Sequence, residues 1–213
     1  MKVAFLTIGQ SPRVDVLSEL SEYLTNIEYV EYGALDGVGR DELEAFKPSP
    51  GETVYVTRLA TGEEVRISRR KAEERLQEII DSKCRDVDFI VLLCTGDFDL
   101  KSDRPIIYPG KVLQAFVQSI FPKKLGVIVP LREQIAYAEA RWKGLCDSLK
   151  ATAWSPYREG DVTAAVQGLE DRDLIVLDCM GYSKRHKELV RTLTRRPVLL
   201  PRSLLGLILR ELS

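Results

Sequence analysis

Two segments of the chain repeat one chemical pattern. Asp88-Phe89-Ile90-Val91-Leu92-Leu93-Cys94-Thr95-Gly96 and Asp173-Leu174-Ile175-Val176-Leu177-Asp178-Cys179-Met180-Gly181 each run from an aspartate through an apolar stretch to a cysteine, one further residue and a glycine, 85 residues apart at every position. The chain holds only four cysteines in 213 residues, so two of them at one point of two similar strands read as a shared role. Taken singly, each has a plain structural reading, because cysteine is a small hydrophobe and among the most buried residue types. Taken together, Cys94 and Cys179 suit general acid–base chemistry. Facing each other across a cleft, one would remove a proton from carbon and the other would return it to the opposite face. That is racemisation or epimerisation without a cofactor. A free thiol ionises near pH ~8.5, and backbone N–H groups with a helix amino end after the strand would favour the thiolate. The glycine after each cysteine lets the backbone approach a ligand closely. Thr95, Gly96, Asp97, Met180 and Gly181 are expected as ligand contacts, with Tyr182 and Ser183 directly after the second loop. Cys84 and Cys146 fall in helical patterns and read as buried filler.

Other residues compete for the same chemistry. Gly9-Gln10-Ser11-Pro12-Arg13 follows the first apolar segment. Its backbone N–H groups, the Gln10 amide and the Ser11 hydroxyl suit a carboxylate or imide oxygen, with Arg13 adding charge. The alternative is a capped turn with Arg13 in solvent. Arg69-Arg70-Lys71 opens a helix against its dipole, as an exposed start or an anion site. His186, the single histidine, lies one turn past Ser183. Gly37-Val38-Gly39 lacks the rest of a dinucleotide fingerprint and reads as a loop.

Strands and helices alternate along the chain and must position these residues. Val3–Ile8, Ile27–Leu35, Asp88–Cys94, Leu125–Val129, Ala151–Trp154, Leu174–Cys179 and Pro197–Leu200 read as strands from their apolar, β-branched runs. Thr53–Leu59 and Glu63–Ile67 alternate about Thr61-Gly62 and predict a hairpin. Helices are expected after Pro12, over Arg69–Cys84 with Ser68 as cap, and over Gly110–Phe121. Further helices are expected over Arg132–Lys150, from Asp161 to Leu169, from Ser183 to Leu193 and over Ser203–Leu212. Repeated strand–helix units give an α/β fold with mostly parallel sheets flanked by helices. Ligands on such sheets bind beyond the carboxyl ends of the strands, where both cysteines fall.

Composition bounds the partners. Hydrophobic residues are 45% and charged residues 30% of the chain, with 31 basic against 32 acidic residues for a net charge of −1. That balance is globular and supplies no field for nucleic acid. The run 184–202 carries seven basic residues against one acid and reads as a solvated helix face, with an anion surface as the alternative. Apolar runs are too short to span a membrane, and the amino-terminal segment is expected to be a first strand without a leader's long apolar stretch. Unpaired cysteines suit a reducing compartment, so a cytoplasmic protein is expected. No metal-finger spacing appears, and neither a metal nor a cofactor is expected. The expected partner is a small molecule, anionic or carbonyl-containing, with neither nucleic acid nor membrane; a homodimer is left open.

Leu6-Thr7-Ile8-Gly9-Gln10-Ser11-Pro12-Arg13, Ile67-Ser68-Arg69-Arg70-Lys71, Gly126-Val127-Ile128-Val129-Pro130 and Leu177-Asp178-Cys179-Met180-Gly181 resemble the AroM family over essentially the whole chain. The resemblance implies the fold of the aspartate/glutamate/hydantoin racemase superfamily, with two pseudo-symmetric α/β lobes. Cys94-Thr95-Gly96-Asp97 and Cys179-Met180-Gly181 are similar to the cysteine loops of hydantoin racemases. They lack the Asn and His of amino-acid racemase loops, which argues against aspartate or glutamate as substrate. The expected lobes are 1–102 plus 196–213 and 103–195, with Cys94 and Cys179 facing one cleft between them. The expected activity is cofactor-independent, two-cysteine proton transfer on a small carbonyl or carboxylate compound. The alternative is a binding or regulatory protein with an inherited, inactive cleft.

Overall fold

A computed structural model describes residues 1–158 and 160–213. Two four-stranded parallel sheets form its frame. The first has the order β2-β1-β5-β6, where β1 is Lys2–Thr7, β2 Glu28–Gly33, β5 Phe89–Leu92 and β6 Ile106–Ile107. The second has the order β8-β7-β9-β10, where β7 is Lys124–Val129, β8 Ser148–Ala153, β9 Leu174–Leu177 and β10 Val198–Leu199. The two orders superpose strand for strand, so the cysteine echo belongs to a repeat of the whole sheet. A separate antiparallel hairpin, β3 (Val54–Arg58) and β4 (Glu64–Ser68), stands between β2 and the helix that leads to β5.

Both sheets are covered on both faces, which is why their strands read as unbroken apolar runs. Successive side chains of a strand point to opposite faces. Ala4, Leu6, Ile90 and Leu92 therefore enter one core with Leu76 and Ile80 of α2 (Arg69–Lys83). Val3, Phe5 and Val91 enter another with Val16 and Leu20 of α1 (Val14–Leu20). In the second lobe, β7 and β9 share a core with Ala138 and Trp142 of α4 (Ile135–Trp142) on one face. On the other they pack with Val166 of α5 (Val162–Val166) and Val190 of α6 (Lys184–Thr194).

Two matched helices tie the lobes together. α3 (Pro109–Ile120) and α7 (Pro201–Leu212) each have 12 residues and begin with a proline, whose fixed φ and missing N–H suit a first turn. α3 leaves the first sheet, yet its Leu113 and Val117 pack in the core of the second. α7 leaves the second sheet, yet its Leu205 and Leu209 pack beside Val3 and Phe5.

The expected lobe joints, 102/103 and 195/196, lie a few residues before β6 and β10. β6 pairs with β5 in the first sheet, and β10 pairs with β9 in the second, so each crossing falls just before the proline of α3 or α7. The long helix expected over Arg132–Lys150 is instead a 3₁₀ turn, Arg132–Gln134, the short α4 and then β8. Gly144 takes φ +83, a conformation that ends a helix cheaply only at glycine, and residues 148–153 complete the sheet edge alongside β7. The last helix starts at Pro201 rather than Ser203. Among the described residues no helix is long and apolar enough to cross a membrane.

A candidate active site between the two lobes

Both cysteines lie two residues past a strand end, on the face that carries Ile90 and Leu92 in β5 and Ile175 and Leu177 in β9. They line one small cavity of about 40 Å³, with Thr95 and Gly96 from the first lobe and Arg141 and Asp178 from the second. Tyr55 and Val56 of the hairpin close it. The cavity is narrow, and Cys94 and Cys179 are each half-buried at its wall. All four cysteines are free.

The two thiols have matched surroundings. The Gly96 N–H donates to Cys94 Sγ at 3.4 Å, and the Gly181 N–H donates to Cys179 Sγ at 3.3 Å. Each glycine is packed against a tyrosine. A methyl group on Gly96 would stand 2.4 Å from the Tyr55 ring, and one on Gly181 would stand 2.5 Å from the Tyr157 hydroxyl. The glycines make room for protein here.

Electrostatics differ from the sequence expectation. Burial pushes the Cys94 thiol up to about 12, the Gly96 N–H and Arg141 opposing it and the Cys179 thiol adding to it. Cys179 is also raised by burial, against the Gly181 N–H, Arg13 and the Tyr157 hydroxyl. No helix begins at either cysteine: α3 starts at Pro109 and α6 at Lys184. The backbone N–H groups act as expected, but desolvation outweighs them.

A buried network braces the cleft. Arg141 Nη1 and Trp142 Nε1 both donate to Asp178 Oδ2 at 2.8 Å, and Arg141 Nε lies 3.4 Å from Asp97 Oδ1. Asp97 accepts from the Tyr137 hydroxyl, and its N–H donates to Tyr55 Oη at 2.9 Å. Gly110 is required because a side chain there would strike Thr95 O and Arg141 Nη2.

Of the expected contacts, Thr95 and Gly96 line the cleft and Asp97 adjoins it through Arg141. Gly9, Gln10 and Ser11 are engaged elsewhere, while Arg13 stands near Cys179. Gln10 accepts from Ala60 N–H and donates to Leu35 O, while Ser11 donates to Asp36 through both its N–H and its hydroxyl. Gly9 sits against Thr57 and Arg58. Arg13 is only 3% exposed, forked on Asp15 at 2.8 Å and beside Tyr157. Met180 points into the first-lobe core and Tyr182 into the second-lobe core, where its hydroxyl donates to Trp154 O. Met180 thus faces away from Cys179, whereas Tyr182 packs in the same cluster as Cys179. Ser183 caps α6 and bonds His186, whose ring packs against Trp154 and Tyr182. Arg69 donates to Asp97 O and Glu73, and Arg70 pairs with Glu74, so that helix start is already neutralised. Tyr55, Tyr157, Arg141 and Asp178 were not singled out by sequence reasoning. Asp178 alone had a signal, its place next to the repeated cysteine.

The family model described as AroM protein matches residues 3–213. No curated protein matches the sequence. Among solved structures, allantoin racemase from Pseudomonas fluorescens is similar with TM-score 0.64 and 14% identity, covering 100% of this chain and 90% of that one. Glutamate racemase from Aquifex pyrophilus has TM-score 0.63 and 18% identity, covering 100% and 84%. Maleate isomerase from Pseudomonas putida S16 has TM-score 0.59 and 13% identity, covering 100% and 93%. At these identities the likeness establishes a racemase and isomerase fold.

Proposed function

The chain belongs to the AroM family, and from that premise we propose that it is a cofactor-independent racemase or isomerase in which Cys94 and Cys179 transfer protons on a small carbonyl or carboxylate compound. The observation that carries this reading is the shared cavity: two thiols from equivalent strand ends face one space, each held by the N–H of the glycine two residues on. Similarity of fold to allantoin racemase, glutamate racemase and maleate isomerase supports it.

In this reading a thiolate takes the proton from the carbon next to the carbonyl, the electron pair moves onto the carbonyl oxygen, and the opposite thiol delivers its proton to the other face. The first cysteine ends protonated and the second ionised, so the site is set for the reverse direction. Cys179 is the readier base, because Arg13 and the Tyr157 hydroxyl favour its thiolate. Cys94, pushed up to about 12, is the resting acid. Thr95 and Gly96 border the reacting carbon.

The test is inversion in heavy water over a panel of hydantoins, amino acids and 2-substituted dicarboxylates, followed by NMR. Solvent deuterium should enter the substrate during inversion. Cys94→Ser and Cys179→Ser should each lower the rate by ~10²–10⁴, each still exchanging one enantiomer preferentially. Full inversion rates in both variants would refute the two-thiol mechanism. The narrow cavity and the raised thiols favour one second reading, a binding protein with an inactive cleft. Tight binding of a panel compound without turnover would select it.

A further inference from the structure

The sheet registers match the two lobes residue by residue at the start of their crossing helices. β5 pairs with β6 as Ile90 to Ile106 and Val91 to Ile107, and β9 pairs with β10 as Ile175 to Val198 and Val176 to Leu199. Ile90 and Ile175 hold the same place in the cysteine repeat, so Ile106 matches Val198. Counting on, Pro109 of α3 matches Pro201 of α7, and Gly110 matches Arg202. The match holds further along, because Leu113 and Val117 correspond to Leu205 and Leu209, the residues that carry each helix into the opposite lobe's core.

The matched positions meet the same backbone group and treat it differently. Thr95 and Met180 are equivalent, each directly after its cysteine. A methyl group on Gly110 would stand 2.1 Å from Thr95 O, so that carbonyl faces a residue with no side chain to donate. Arg141 Nη2 borders the same space, but it has no hydrogen-bond partner among the described residues. In the other lobe Arg202 Nε donates to Met180 O at 2.7 Å, Nη2 to Gly181 O at 3.0 Å and Nη1 to Asp15 O at 2.6 Å. Arg202 is 2% exposed, so solvent ions screen its charge little. Met180 O and the Gly181 N–H belong to one peptide group, and that N–H donates to Cys179 Sγ. A cation bonded to a peptide oxygen draws electron density through the conjugated C–N bond and makes the N–H a stronger donor. Burial raises the Cys179 thiol, and the Gly181 N–H is the leading influence against it.

Resting on the reading of Cys94 and Cys179 as the acid–base pair, we propose that Arg202 is a positioning residue. Through the Met180–Gly181 peptide it aims and strengthens the N–H that favours the Cys179 thiolate, and so makes two otherwise matched thiols unequal. Gly110, at the equivalent place, leaves Cys94 without that support.

Iodoacetamide rates at each cysteine, measured against pH by peptide mass spectrometry, test this in the parent, Arg202→Met and Arg202→Lys. Methionine keeps a long side chain and removes the charge and every donor, whereas lysine keeps the charge on one donor atom. In Arg202→Met the ionisation limb of Cys179 should move to higher pH and its rate at about pH 8.5 should fall about two- to tenfold, with the Cys94 limb unmoved. Arg202→Lys should recover part of that loss. A role limited to holding the loop together would change how fast Cys179 reacts without moving its limb. A Cys179 limb that stays in place in Arg202→Met, or limbs that shift equally at both cysteines, overturns the proposal and leaves the two-thiol reading to the heavy-water assay. Full inversion rates in both cysteine variants would refute that reading while the Arg202 shift stands. The unsubstituted protein decides the question even if both variants fail to fold, through the amide proton resonances of the isotope-labelled chain. Gly181 N–H, as the stronger donor to sulfur, should lie downfield of Gly96 N–H near neutral pH. A Gly181 resonance level with or upfield of Gly96 overturns the relay.

Discussion

Tyr55 lies across Gly96 so closely that a methyl group on the glycine would stand 2.4 Å from the ring. The same tyrosine accepts the N–H of Asp97 at 2.9 Å, so one side chain of the hairpin fixes both residues that follow Thr95. Tyr157 has the matching place over Gly181 in the other lobe. The Gly N–H that reaches each cysteine sulfur is therefore aimed by a tyrosine packed on its other side.

Gly96→Ala should destabilise the protein by ~1–3 kcal/mol, the usual cost of forcing an extra carbon into a filled site. Gly96 has no positive φ, so the cost is steric and depends on Tyr55. In the double variant with Tyr55→Ala, thermal denaturation should show the two losses to be less than additive. Full additivity would mean that the ring does not set the glycine.

The raised thiols predict alkaline sensitivity. A thiol that ionises at higher pH in the folded chain than in the unfolded one binds more protons when folded. Its contribution is complete below the unfolded value of ~8.5 and is lost as pH rises toward the folded value, about 12 for Cys94. Stability above that onset should fall by at most ~1.4 kcal/mol per pH unit for each such thiol. Urea denaturation of Cys94→Ala from pH ~8 to ~10 should show a shallower fall than the parent chain. Parallel curves would place Cys94 in a wetter, unshifted environment.

Asp15 gives the opposite sign. Burial tends to raise its carboxyl, but the hydrogen bond from Arg13 and the charges of Arg13 and Arg202 outweigh it and hold the group below the usual carboxylate range. Its stabilisation is present above the unfolded value of ~3.9 and lost as pH falls through the lower folded value. Asp15→Asn leaves Arg13 and Arg202, 3% and 2% exposed, short of a counter-charge. It should cost ~3 kcal/mol near neutral pH, at the lower end for a broken buried pair. The difference from the parent, read by urea denaturation, should shrink toward pH ~3.

The sequence disclosed what runs along one strand and hid what crosses between elements. The Cys94 and Cys179 echo and the Ser68 and Ser183 caps are local patterns, and all four recur in the structure as sheet repeat or helix start. The long helix misread over Arg132–Lys150 arose because Ile135, Ala138, Trp142, Leu145, Cys146 and Leu149 keep helical spacing, while the sheet edge takes residues 148–153 as a strand. Tyr55, Tyr157 and Arg141 carry no spacing signal. They come from a hairpin, a loop and a helix end, and only the fold brings them to the cysteines.

The hairpin crosses to the second lobe through polar contacts. Glu64 accepts from Ser155 Oγ at 2.6 Å and from Arg158, Arg66 pairs with Glu133 at 2.6 Å, and Gln134 Nε2 donates to Val54 O at 3.0 Å. Tyr55 and Val56 of this strap border the cavity, so lifting it should widen the way to both thiols. Glu64→Gln weakens the ion pair while keeping the side chain's shape. Iodoacetamide should then reach Cys94 and Cys179 about two- to tenfold faster, the range for one charge-assisted contact. Faster amide exchange over 54–68 should accompany it. Unchanged alkylation with faster exchange would place the entrance elsewhere.

Tyr157 separates the two thiols. Its hydroxyl stands beside Cys179 and Arg13 and favours the Cys179 thiolate, while Cys94 has Arg141 as its cation instead. Tyr157→Phe keeps the ring and removes the hydroxyl that favours the thiolate, an effect of ~0.5–1.5 kcal/mol. The Cys179 thiol should shift further up, and its iodoacetamide rate at about pH 8.5 should fall two- to tenfold, with Cys94 unchanged. Rate–pH profiles give the readout that a purely structural role would not move: at Cys179 the ionisation limb should shift to higher pH. Equal slowing of both cysteines would instead mean that Tyr157 acts on cleft opening, and the assignment of Cys179 as the readier base would lose its local cause.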